Sequence, residues 1–171
     1  MFDTALTAND LVFLAKGAGI TILVTAISVI IGTLLGILFG VIRVQLGPIW
    51  SAPLTFVLDI FRSVPLLIQL VLGNAFVGMV LQLQISGFTV ACIVLSLYTS
   101  AYCAEIVRGG IDAVPEITRR AARSLGLTWG QDMRYIVLPL ATRVALPSWI
   151  GLALGVMKDS ALVYVVQVTE L

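Results

Sequence analysis

The side chains of this 171-residue chain best suited to chemistry are few, and they stand in or beside apolar sequence. Lys158, Asp159 and Ser160 are consecutive, placing an ammonium donor, a carboxylate acceptor and a hydroxyl at the end of an apolar run. Asp59 and Arg62 stand three apart, as do Glu105 and Arg108, a spacing that brings two side chains together on a helix. Tyr98, Thr99 and Ser100 put three hydroxyls into another apolar stretch. A further concentration is basic, Arg119-Arg120-Ala121-Ala122-Arg123-Ser124-Leu125-Gly126-Leu127. None of these sets is a catalytic constellation. The chain has no histidine, no spacing of metal ligands, no nucleophile elbow and no P-loop. What these residues offer is recognition of charge, and the chain is not expected to be an enzyme.

The elements that must position them are membrane helices. Hydrophobic residues make up 60% of the chain and charged residues 11%, with a mean hydropathy of +1.10. Soluble domains carry about a quarter charged residues, so an ordinary globular domain is excluded. A low aromatic content of 8% and the absence of an extended basic tract exclude nucleic-acid binding. About 20 apolar residues cross the hydrocarbon core, and the uncharged runs predict spans over residues 17–42, 54–81, 88–107 and 135–157. The last is the weakest, being interrupted by Pro139, Arg143 and Pro147. Residues 161–168 are apolar but too short to cross alone. Asp3 and Asp10 stand where a signal peptide has its basic region, so the first span is predicted to stay. The predicted fold is all-α, a polytopic membrane helical bundle.

Orientation follows from the cations. Arg43 follows the first span, and Arg108, Arg119, Arg120, Arg123 and Arg134 crowd the loop after the third. The positive-inside rule then puts the amino terminus outside and the arginine-rich loop, residues 109–134, in the cytoplasm. Gly32, Gly36 and Gly40 share one face of the first span, and Gly151 and Gly155 repeat the spacing in the fourth. Such seams allow close helix approach, either within the chain or against another subunit. Cys92 and Cys103 are eleven residues apart on one helix, about 16 Å of rise and beyond disulfide reach. They read as small buried side chains.

The cytoplasmic loop has predicted structure. Gly109-Gly110 and Pro115 are expected to break the third helix. Thr118 then caps a short helix through Leu125, with Gly126 as a left-handed C′ residue, and Thr128 caps a second beginning at Trp129. Two short helices meeting at a glycine form a knuckle on the side where ATP and cytosolic partners are found.

The order Ala121-Ala122, Gly126, Ile136-Val137-Leu138-Pro139 resembles the coupling loop of bacterial ABC-importer permeases. Flanking blocks are similar to the polar amino acid branch, with its histidine, glutamine and arginine permeases. They are Phe61-Arg62-Ser63-Val64-Pro65-Leu66-Leu67-Ile68-Gln69, residues 96–111, Lys158-Asp159-Ser160-Ala161-Leu162-Val163 and Val168-Thr169-Glu170-Leu171. The resemblance runs in consistent order from about Phe13 to the last residue. It implies a bacterial inner-membrane permease paired with an identical or homologous permease, gripped by cytosolic ATPase subunits and fed by an external substrate-binding protein. It also implies that no cofactor is held by this chain, ATP and magnesium belonging to the partner ATPase. The coupling residues are then Arg120, Ala121, Ala122, Leu125, Gly126 and Trp129.

A zwitterionic amino acid needs an acceptor for its ammonium and a donor for its carboxylate. The resemblance makes Lys158, Asp159 and Ser160 an unwound, path-lining segment, joined by Leu67, Tyr98, Thr99 and Ser100. Local explanations stand beside these: a self-neutralising pair or headgroup contact at Lys158-Asp159, interhelical hydrogen bonds for the hydroxyls, and simple ion pairs for Asp59–Arg62 and Glu105–Arg108. Pro65 is expected to bend the second span and expose carbonyls to the path. Two departures stand out. The family usually has Glu where this chain has Arg120 and commonly an aromatic at Arg119. Its chains also continue past Val-Thr-Glu-Leu into one more span, which this sequence is expected to lack. The alternative is an ion-coupled secondary transporter using carboxylates such as Asp159, but the internal repeat common in that class is not evident. A purely structural membrane anchor leaves Lys158-Asp159 without a role.

Overall fold

The computed structural model describes residues 8–82 and 84–163, so the closing Val168-Thr169-Glu170-Leu171 lies outside the described residues. Helix α1 spans Ala8–Ser63 and is folded at Gly47 (φ 72°, ψ 172°) into limbs 8–46 and 48–63. Gly47 takes the positive φ that a side chain resists, and Pro48 restarts the helix at a position where its missing N–H costs nothing. Helix α2, Leu66–Ala75, runs into a π-helical turn at Phe76–Val80. Helix α3, Gly87–Asp112, starts at Ser86, whose Oγ accepts the Thr89 N–H at 3.3 Å. Two short helices follow, α4 over Glu116–Ser124 and α5 over Trp129–Asp132. A π-helical turn at Met133–Val137 leads into α6, Leu138–Asp159, which closes in a 3₁₀ turn, Ser160–Leu162. Among the described residues, three helical stretches are long and apolar enough to cross a membrane: Asp10–Ser63, Gly87–Asp112 and Trp129–Leu162.

Four expectations are corrected here. The stretch 54–81 is not one continuous helix, because it breaks at Val64 and Pro65 before α2 begins. Gly109 and Gly110 do not end α3, which runs on to Asp112. A Cβ at Gly110 would stand 2.9 Å from the Ala141 carbonyl oxygen, so that glycine serves close packing against α6. Helix α4 starts at Glu116 behind Pro115 rather than at Thr118. Proline pre-sets the entry angle, and the Glu116 carboxylate faces the positive helix end. The segment at Lys158-Asp159 is not unwound: α6 stays helical through Asp159 and then tightens.

Helix α3 is the centre of the bundle. In its most apolar stretch 61% of residues are buried, against 11% in that of Trp129–Leu162. The first glycine seam explains the contact between α1 and α3. A Cβ at Gly32 would lie 2.5 Å from Thr99 Cβ, one at Gly36 would strike Cys103, and one at Gly40 would lie 2.8 Å from the Ala104 carbonyl oxygen and Val107. Each four-residue step along α1 advances four along α3, so the two helices run parallel. The seam is therefore filled from within the chain. Trp149 Nε1 donates to Thr33 Oγ1 at 2.9 Å and ties α6 to the same seam. Cys92 and Cys103 are buried free thiols, as expected.

Candidate functional site

Two regions hold the residues singled out in the sequence. In the first, both limbs of α1 and helix α3 meet at an ionic cluster beside a helix break. Glu105 on α3 accepts from Arg43 of α1 at 2.9 Å, from Arg62 at 3.3 Å and from Arg108 one turn away. Arg62 also reaches Asp59 at 3.2 Å, and Arg108 reaches Asp112 at 2.7 Å. The expected pairs Asp59–Arg62 and Glu105–Arg108 both form, but as parts of one network. Arg43 and Arg62 join it from afar, which no local spacing announces. Arg62 also sits over the Tyr102 ring, 5.7 Å from its centroid.

Three of the four carbonyls freed by the break at Val64-Pro65 are taken up by side chains rather than left open to the path, the expectation for Pro65. Gln69 Nε2 donates to the Phe61 carbonyl at 2.6 Å and to the Val64 carbonyl at 2.7 Å. The Tyr102 hydroxyl donates to the Arg62 carbonyl at 3.3 Å. Unpaired backbone groups at membrane depth are costly, and side chains cover three of them here.

Above the break, Leu66 and Leu70 of α2 join Val156 of α6 and Leu95 of α3 in one buried cluster, with Tyr98 packed against it. Tyr98 stacks obliquely on Tyr102, ring centroids 4.8 Å apart, and stands within electrostatic reach of Asp159. The fold thus gathers Tyr98, the α2 turn bearing half-exposed Leu67, and the end of α6. At that end Lys158 is exposed, Asp159 is half-buried, and buried Ser160 donates to the Met157 carbonyl at 2.7 Å. Among the described residues neither Lys158 nor Asp159 has an ion-pair partner, so the pair does not read as a salt bridge within the bundle. Thr99 and Ser100 are not part of this group. They are 0% and 1% exposed, Thr99 against Gly32 and Ser100 donating to the Leu97 carbonyl at 2.7 Å. The Thr99 side chain and the Ser100 carbonyl oxygen lie against the glycine seam at Gly32 and Gly36.

The second region is the knuckle. Gly126 adopts φ +82°. Its N–H donates to the Arg123 carbonyl at 2.9 Å, and the Leu127 N–H donates to the Ala122 carbonyl at 3.2 Å. That crossed pair is the Schellman closure of a helix on a left-handed residue, so the expected role of Gly126 holds. Thr128 precedes α5 as expected, its N–H donating to Gln131 Oε1 at 2.9 Å. Beneath α4, Ala122 is 2% exposed, and Asp132, only 1% exposed, faces Arg119 at 3.6 Å. Arg119 therefore points inward, toward α5, in an ion pair too long for a hydrogen bond. Arg120 points outward and pairs with Glu116 one turn earlier at 2.8 Å. Ile117, Leu125 and Trp129 remain largely exposed on the outer surface with Arg120 and Ala121. Ile117 was missed by sequence reasoning, though a large apolar residue in a polar helical turn was the available signal.

Residues 32–169 match the family described as "Binding-protein-dependent transport system inner membrane component". The chain belongs to this family. It is 33% identical over 174 residues to the "Probable amino-acid ABC transporter permease protein YckA" of Bacillus subtilis (strain 168), covering 100% of this chain and 75% of that protein. It is also 33% identical over 166 residues to the "Arginine transport system permease protein ArtQ" of the same organism, covering 96% and 75%. The "Glutamate/aspartate import permease protein GltK" of Escherichia coli O157:H7 is 31% identical over 179 residues, covering 99% and 79%. Among solved structures, "Crystal structure of an amino acid ABC transporter with histidines" superposes with a TM-score of 0.74 at 30% identity, over 94% of this chain and 78% of that one. An inward-facing MetNI methionine ABC transporter shares the fold, TM-score 0.79 at 21% identity, over 92% and 76%. As a family member the chain is a multi-pass inner-membrane component of an ABC importer. Membership implies dependence on a substrate-binding protein and on an ATPase.

Proposed function

We propose that this chain is the permease subunit of an ATP-driven importer for polar amino acids, working as a pair with an identical or homologous permease. The named relatives, which include arginine and glutamate/aspartate permeases, support the substrate class. In this reading the amino terminus faces outward, and the path runs between the two permeases beside Leu67, Tyr98, Lys158, Asp159 and Ser160. Asp159 accepts the substrate ammonium, and Lys158 supplies the donor for its carboxylate. The chain itself holds no cofactor. ATP and magnesium stay with the cytosolic ATPase, and closure of the ATPase pair rocks the permease halves to open the path alternately.

The observation that carries the reading is the knuckle. Ile117 is 76% exposed, Leu125 82% and Trp129 54%, on a helix end whose shape is fixed by Gly126 and by the buried Arg119–Asp132 contact. Large apolar side chains held rigidly out into water mark a docking surface. Gly126→Val puts a β-branched residue at φ +82°, where its backbone is strained. The expected result is loss of ATPase co-purification and of uptake, with the membrane helices still folded. Unchanged co-purification and uptake would refute the docking role.

A further inference from the structure

Pro65 has no N–H, so the Phe61 carbonyl four residues earlier loses its helical partner. The chain then leaves the helix at Val64 and re-enters at Leu66, which strips the Arg62, Ser63 and Val64 carbonyls as well. Three of these four are recovered by two side chains: both amide hydrogens of Gln69 serve Phe61 and Val64, and Tyr102 serves Arg62. Gln69 lies four residues beyond Pro65, in the first turn of α2, where its side chain points back toward the break. Tyr102 is half-buried one helical turn before Glu105, so the break lies between the ionic cluster and the buried apolar core around Leu66 and Leu70.

We propose that Gln69 is a positioning residue for transport. It fixes the angle between limb 48–63 and α2, and it acts through α2 on the path rather than by touching substrate. Leu66 and Leu70 carry the effect, since they pack in the same cluster as Val156 and Tyr98, next to Asp159. The lower limb is anchored independently by Arg62 on Glu105, so the upper segment is the part that moves when Gln69 lets go. The crossbars of this joint are side chains, not a backbone ladder, and a single substitution releases two of the three. The transport part of this proposal rests on the permease reading, whereas the angle does not.

The test pairs a distance with a rate in the complex purified through this chain. Spin labels at Phe56→Cys and Phe76→Cys, both exposed and on opposite sides of the break, are introduced with Cys92 and Cys103 replaced by alanine. Gln69→Met keeps the size and removes both donors. It is expected roughly to double the width of the label distance distribution and to raise the uptake KM about tenfold, with ATPase co-purification unchanged. Tyr102→Phe, which frees one carbonyl and disturbs little else, is expected to do the same to a smaller degree, and it carries the test if Gln69→Met does not fold. An unchanged distribution in a folded variant overturns the proposal, as does a broadened one with unaltered uptake kinetics. A wild-type complex with no amino acid uptake at all refutes the permease reading instead, while leaving the distance measurement intact.

Discussion

Two glycine seams with the same spacing end up in opposite environments. Along α1, Gly32, Gly36 and Gly40 each face an α3 residue so closely that a Cβ has no room. Along α6, Gly151 and Gly155 have nothing within 4 Å of the position a Cβ would take. Their helix face also carries Arg143, Pro147 and Lys158, at spacings of roughly whole helical turns. Arg143 and Lys158 are exposed and have no ion-pair partner among the described residues. A lipid-facing surface with two cations and two bare glycines is costly. The first seam is thus spent on folding the chain, whereas the second meets no neighbour among the described residues. Identical motifs are separated by what lies across from them.

The comparison breaks most sharply at Gly36. Gly36→Leu forces a side chain into Cys103 and the α3 backbone, and overpacking of that kind costs about 3 kcal/mol. The yield of folded, monodisperse protein in detergent should collapse. A folded variant with normal thermal stability would mean that the helices separate readily, and that the contrast between the seams is false.

Gly155→Leu is the counterpart, with a smaller effect and a different readout. The space is open within the chain, and leucine is a better helix former than glycine by about 0.8 kcal/mol, so thermal stability of the isolated chain should be equal or slightly higher. Under the proposed function this face meets the second permease or the path, so uptake by the assembled transporter should fall steeply. Normal uptake assigns that face to lipid.

The smallest effect is expected at Arg120. Its pair with Glu116 is exposed on both sides, and pairs of this type contribute about 0.3–0.5 kcal/mol. Arg120→Glu should leave the fold intact, the measurable change being weaker ATPase co-purification if an acidic partner surface faces it. Indifferent assembly would show that Arg120 faces only water.

The sequence displays these features unevenly, for physical reasons. Gly126 and Thr128 were readable because helix ends are decided locally, by a handful of backbone groups. Uncharged runs marked the apolar helices because a bilayer imposes that pattern on any crossing segment. Gly109-Gly110 misled, because glycine serves both turns and close approach, and only Ala141, thirty-one residues away, selects the second use. The hydroxyls of Thr99 and Ser100 read equally as path or packing from sequence, because only the fold shows that Gly32 and Gly36 lie against Thr99 and the Ser100 carbonyl. The inward turn of Arg119 was hidden likewise, since its partner Asp132 becomes buried only when α4 and α5 fold together.

In the proposed function, amino acid movement through this chain is driven by ATP hydrolysed at the ATPase docked on the knuckle. The direct measurement is uptake of labelled polar amino acids into proteoliposomes holding the purified complex and its binding protein. ATP is supplied on the knuckle side, and the proton gradient is set independently. Uptake that requires ATP and survives collapse of the gradient is the predicted result. Uptake that persists without the ATPase and vanishes with the gradient would contradict it.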